Sequence, residues 1–179
     1  MSVLGELQPN KVFKYFEEIC SIPHGSRNLQ QISDYLVDFA KAHELKYRQD
    51  EDLNVIIWKD GSKGYEASEP VILQGHMDMV AVKEADCDKD MEKEGLDLEI
   101  NGDYISAKGT SLGGDDGIAV AYTLAVLDDE EMAHPPIEAI FTVNEEIGML
   151  GAATIDVSDL KGRLFMNMDC EDEGVFTVS

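Results

Sequence analysis

Apolar residues in this chain obey two alternating periods, and that alternation limits the possible folds more than any other feature. Val12, Phe13, Phe16, Ile19 and Cys20 recur at helical spacing within residues 8–22, and Pro23 stops the run because its ring disfavours helix at the residue before it. A second stripe of Leu29, Ile32, Leu36, Phe39 and Ala40 predicts a helix over 28–43, starting after the Gly25-Ser26 punctuation. Short β-prone runs follow at 55–58 and, after Pro70, at 71–73. Leu96, Leu98 and Ile100 alternate with polar residues, Asn101-Gly102 follows, and Tyr104-Ile105-Ser106 resumes the pattern, which predicts a β-hairpin with positive φ in its two-residue turn. Further along, 118–127 reads as helix, 137–143 as strand, 148–154 as the start of a helix, and 164–168 and 175–178 as strands. Helices alternating with buried strands bury their apolar faces by stacking, so the expected class is α/β, a layered mixed sheet flanked by helices.

Charge narrows the function. The chain has 179 residues with 14 Lys+Arg against 37 Asp+Glu, a formal charge of −23. A surface of that sign repels polyanions and anionic lipid, so neither nucleic acid nor membrane is an expected partner. With 44% hydrophobic residues the chain can still build a core. Its longest apolar stretch, 117–127, is too short to span a bilayer and reads as a buried helix. The first residues show no secretory pattern, so the expected location is cytoplasmic. Cys20, Cys87 and Cys170 are odd in number without C-x-x-C spacing, which predicts reduced, mostly buried thiols. The charged run 83–94 reads as a solvated surface loop.

Against this acidic background a single carboxylate is uninformative, but several acids follow directly on strand or helix signals. In 71–78 an apolar strand runs into His76 and Asp78, two residues apart and so on one face of extended chain, which suits a metal-binding imidazole with a supporting carboxylate. Taken alone, a strand-end histidine and a solvated acid explain that pair better. Asp115 and Asp116 sit among glycines just before the helical run, where a simple first-turn acid is the plain alternative. A phosphate-binding loop is rejected there, because G-K-[ST] is missing and acids occupy the anion's place. Glu145 and Glu146 end a strand, where one carboxylate could bind a metal while the other accepts a proton; a solvated Glu-Glu turn is the alternative. Asp169 ends the strand 164–168. Together these residues lie where α/β folds form crevices, and a mixed N/O ligand set without thiolate fits zinc, cobalt or manganese.

The order and spelling of four motifs, GHMD at 75–78, GTSLGGDDG at 109–117, TVNEEIGMLGA at 142–152 and NMDCEDEG at 167–174, resemble the aminoacyl-histidine dipeptidases. This family, also called peptidase D or cytosolic non-specific dipeptidase, lies within the wider group of di-zinc aminoacylases, aminopeptidases and carboxypeptidases. The resemblance runs from Leu7-Gln-Pro and the Cys20-Ser-Ile-Pro-His24 stretch to Gly174. It implies that residues 1–179 are the N-terminal portion of a metallopeptidase catalytic domain of phosphorylase/hydrolase-like fold, binding two divalent ions, zinc first and cobalt or manganese next. It implies that His76 and Asp169 hold one ion, Glu146 the other, and Asp115 bridges them. Asp78 then steers His76, and Glu145 is the general base toward the metal-activated water that attacks a dipeptide's carbonyl.

Family members continue further, with a lid or dimerisation domain and a final ligating histidine; homodimers are expected of them, and not of this chain without the lid. His24, His43 and His134 are expected to be structural or solvated, leaving the second ion only Asp115 and Glu146. Exposed sheet edges, apolar surface and impaired turnover are therefore expected of the chain alone. The alternatives are a non-catalytic metal-binding or interaction module, and an N-acyl amino acid amidohydrolase of the same wider family.

Overall fold

A computed structural model of the chain describes residues 2–170, 174–175 and 177–178. The first stripe forms α1 (Asn10–Cys20), which buries Val12, Tyr15, Phe16, Ile19 and Cys20, and the second forms α2 (Gln30–Ala42), which buries Ile32, Leu36, Val37, Phe39 and Ala40. β1 (Lys46–Gln49), β2 (Val55–Lys59) and β3 (Val71–His76) follow, then the hairpin β4 (Leu98–Asn101) and β5 (Tyr104–Ala107). The chain continues through α3 (Gly114–Leu127), β6 (Ile137–Thr142), α4 (Leu150–Thr154) and β7 (Leu164–Asn167). The expected α/β class is the observed one.

The main sheet has the order β1-β2-β6-β3-β7 and is mixed. β1 and β2 pair antiparallel, as do β2 and β6, whereas β3 runs parallel to both β6 and β7. Register places Val55 opposite Phe141, and Ile57 and Leu73 on either side of Ala139, so these side chains share one face. α1, α2 and α3 close that face into a single core: α2 packs on β1 and β2, α3 on β3 and β6, and α1 on α3. β6 is buried along its whole length, as a central strand covered on both faces must be.

Several sequence expectations need correction. β1 was not foreseen, because Lys46-Tyr47-Arg48-Gln49 has no apolar alternation; its order comes from pairing with β2 and from the Lys46 ammonium stacked 4.2 Å from the centre of the Trp58 ring. The hairpin turn is Gly102-Asp103 rather than Asn101-Gly102, since Asn101 pairs with Tyr104, and Gly102 supplies the positive φ of 62°. Only one of the three cysteines, Cys20, is buried; Cys87 is half-buried and Cys170 exposed. The strand expected over 175–178 falls partly on Phe176, outside the described residues, and Val175, Thr177 and Val178 belong to no strand. Residues 83–94 form no helix or strand, in keeping with a surface loop. Among the described residues no helix is long and apolar enough to cross a membrane.

Candidate active site

Three parallel strands decide where the site forms. Because β3, β6 and β7 point the same way, His76 at the end of β3, the Asn144–Glu146 turn after β6 and Asp169 after β7 all emerge at one edge of the sheet. α3 begins at the same edge, and Gly75 permits this. A Cβ there would lie 2.8 Å from Asp116 Oδ2 and 3.1 Å from the Ala119 Cβ, so a larger residue would push the helix off the strand.

The first residues of α3 are not helical. Asp115 has φ −83° and ψ 112°, Asp116 has φ −111° and ψ 24°, and neither side chain caps the helix. That backbone sends the two neighbouring carboxylates different ways. Asp115 projects outward with its side chain 71% exposed, while Asp116 is buried and accepts the His76 backbone N–H at 3.1 Å.

His76 is buried at the centre of the cluster. Its Nδ1 lies 2.9 Å from the Asp78 carbonyl oxygen; a carbonyl can only accept, so Nδ1 carries the hydrogen. Nε2 is the nitrogen left to face the acids, with Asp115 Oδ1 at 3.2 Å and Glu145 Oε2 at 3.9 Å, and once deprotonated it can offer its lone pair to an ion. The fully buried Asp78 carboxylate lies 3.5 Å from Nδ1, accepts the Glu145 backbone N–H at 3.0 Å on Oδ1, and accepts the Ser26 hydroxyl at 2.8 Å on Oδ2.

Electrostatics at this edge follow from so many acids converging. Burial pushes the His76 imidazole down, but Asp78, Asp116 and Asp115 outweigh it and raise the pKa to about 9. Asp116 is raised to about 7, chiefly by burial and against the pull of His76. Burial and then the Asp115 charge also raise Glu146. For Asp78, burial works upward, yet the adjacent His76 ring and hydrogen bonds from the Glu145 N–H and Ser26 hold the carboxyl below its usual range. Like charges crowded in this way call for a cation. Ligand atoms of His76, Asp115 and Glu146 lie within 4.8 Å of one another, as do those of His76, Glu145 and Asp169. One imidazole with several carboxylates is a donor set that suits zinc, cobalt or manganese.

All six residues singled out from the sequence, His76, Asp78, Asp115, Glu145, Glu146 and Asp169, thus meet at one edge, with Asp169 grouped beside Glu145. The other histidines do not join the cluster. His24 and His134 are buried on the carbonyls of Ile22 and Pro135, and His43 sits 3.5 Å from Asp128. Ser26 was missed, since Gly25-Ser26 reads only as punctuation in the sequence, and so was the inward turn of Asp116, because adjacent aspartates carry no sign of which one is buried.

The chain is 40% identical over 174 residues to the cytosol non-specific dipeptidase of Escherichia coli K12, a match that covers 97% of this chain and 36% of that protein. Its fold superposes on the aminoacylhistidine dipeptidase of Vibrio alginolyticus with a TM-score of 0.92 at 40% identity, over 96% of this chain and 35% of that one. A tripeptidase from Staphylococcus aureus shares the fold at 23% identity, with a TM-score of 0.76 over 94% of this chain and 45% of that structure. No protein-family profile matches the chain. It spans about a third of the length of the two dipeptidases. By sequence and by fold, over the stretch it covers, this chain is similar to the cytosol non-specific, or aminoacylhistidine, dipeptidases.

Proposed function

We propose that this edge of the sheet is the catalytic centre of a metal-dependent peptidase acting on dipeptides, either aminoacyl-histidine or a broader range, in the cytoplasm. The observation that carries the reading is the convergence of the His76, Asp115, Glu145, Glu146 and Asp169 ligand atoms at the ends of three parallel strands and one helix. Bound divalent ions would supply the charge that polarises a peptide carbonyl and acidifies water. In this reading His76 and Asp169 would hold one ion and Glu146 the second, with Asp115 available to each. Asp78 keeps the His76 ring in the tautomer that presents Nε2. Glu145 is the general base: with its backbone fixed by Asp78 and its carboxylate at the mouth of the cluster, it takes a proton from the attacking water and hands it to the leaving amine. With His76, the one imidazole of the cluster, given to the first ion, the second keeps only Asp115 and Glu146, and turnover by the chain alone is proposed to be weak for that reason.

Zinc stoichiometry and dipeptide hydrolysis, measured on this chain and on a version extended to the length of its relatives, test the reading. Glu145→Gln should keep zinc and lose turnover by about 10²–10⁴-fold. Near-normal hydrolysis by that variant would remove Glu145 from its role, and a chain that binds no divalent ion in either form would overturn the assignment as a whole.

A further inference from the structure

We infer that Ser26 is a positioning residue for this centre. From the turn that follows α1, its hydroxyl locks the Asp78 carboxylate, which holds the Glu145 backbone and packs its charge against the His76 ring. The inference rests on the metallopeptidase reading above and extends it to a segment about fifty residues earlier in the chain.

A carboxylate turns easily about its last bond, because that torsion is broad rather than staggered. The Asp78 carboxylate is useful in one orientation, with Oδ1 accepting the Glu145 N–H at 3.0 Å and its charge 3.5 Å from the His76 ring, whose Nδ1–H the Asp78 backbone carbonyl accepts. Among the described residues, Oδ2 has Ser26 as its one hydrogen-bond donor, at 2.8 Å. Remove that donor and a buried oxygen has no partner, so the carboxylate rotates or recruits one of the donors it now orients.

The turn is itself anchored to both halves of the site. Met79 donates its N–H to the His24 carbonyl and Ser26 donates its own to the Met79 carbonyl, each at 3.2 Å, which ties the turn to the chain leaving β3. Arg27, held at φ 73° in the left-handed region, donates its N–H at 2.8 Å to the Asn144 side chain, one residue before Glu145. A Cβ on Gly25 would come within 2.7 Å of the Ala81 Cβ, so a glycine here lets the turn lie this close. Ser26 therefore stands at a junction of the β3 and β6 ends, and its hydroxyl is directed at the acid shared by the metal-facing histidine and the proposed base.

The test reads zinc affinity, by competition with a chromophoric chelator, in the unaltered chain, Ser26→Ala, Ser26→Thr, Asp78→Asn and the Ser26→Ala/Asp78→Asn double variant, with the metal-free unfolding temperature of each. Ser26→Ala should raise the zinc Kd about tenfold. Ser26→Thr should restore it to within about twofold, and in the Asp78→Asn background the loss of the hydroxyl should add nothing. If Ser26→Ala does not fold, Ser26→Gly removes the same hydroxyl and should show the same tenfold loss. Unchanged affinity without the hydroxyl, a loss that threonine leaves in place, or a full additional loss on top of Asp78→Asn overturns the role of Ser26 while leaving the metal centre standing. An unaltered chain that binds no zinc removes the centre and this inference together.

Discussion

Glu138 shows how one side chain in an apolar strand can be both buried and satisfied. It is the second residue of β6, is only 3% exposed, and accepts the backbone N–H groups of Lys161 at 3.0 Å and Gly162 at 2.9 Å. These bonds hold the 161–162 segment over the sheet face opposite α1–α3, with Gly162 packed closely beside Ile72. Taking a carboxylate out of water is costly, and charge-assisted bonds offset that cost only while the donors stay in place. Glu138→Ala should therefore destabilise the fold by about 1–3 kcal/mol, since it removes the charged acceptor of two backbone N–H groups. Urea unfolding measures this, and a change below about 0.5 kcal/mol would mean that the segment holds without Glu138.

Among the elements, α1 is stabilised from outside its own turns. Glu17 reaches back to accept the Ser2 hydroxyl and the Val3 N–H, each at 2.6 Å, and the Leu4 N–H at 3.2 Å, which seats the buried Leu4 in the core. Burial pushes the Glu17 carboxyl up, but these hydrogen bonds outweigh it and leave the pKa lowered. A carboxyl whose folded pKa is depressed contributes stability above the unfolded value, about 4.3, and that contribution disappears as pH falls through the folded value. Glu17→Gln should accordingly lower the unfolding temperature at pH 7, with the gap to the unaltered chain closing on the acid side of about pH 4. A gap that persists undiminished at pH 3 would show that packing, and not the ionised carboxylate, holds the N-terminal segment.

At the scale of the whole molecule, a charge of −23 and a crowded acidic edge work against the compact state. β7 adds a further liability, as the edge strand of the main sheet with Leu164, Phe165 and Met166 exposed. Divalent ions that bind only the folded chain should offset the repulsion. Zinc at about 100 times its Kd contributes about 2.7 kcal/mol. For a chain of this size that corresponds to a rise of roughly 5–10 °C in unfolding temperature. Excess chelator should reverse the shift, and sodium chloride of equal ionic strength should not reproduce it, because screening lacks the convergent ligand geometry. Equal effects of the two salts would reduce the site to a diffuse acidic patch.

Local pattern decided much of this protein in advance. The periods of α1, α2 and the later half of α3, the apolar runs of β2, β3 and β6, and the hairpin are all legible in the sequence, because burying a stripe or an alternating face is a demand each segment carries within itself. The motifs likewise marked His76, Asp78, Asp115, Glu145, Glu146 and Asp169 as chemistry-bearing. Tertiary structure alone decided the rest: that polar β1 becomes a strand, that Asp116 turns inward while Asp115 faces out, that Ser26 meets Asp78, and that Glu138 is buried. A polar side chain has no period of its own. Its partner is chosen by strand order and by glycines such as Gly75 that let distant segments touch, and neither can be read from the residues beside it.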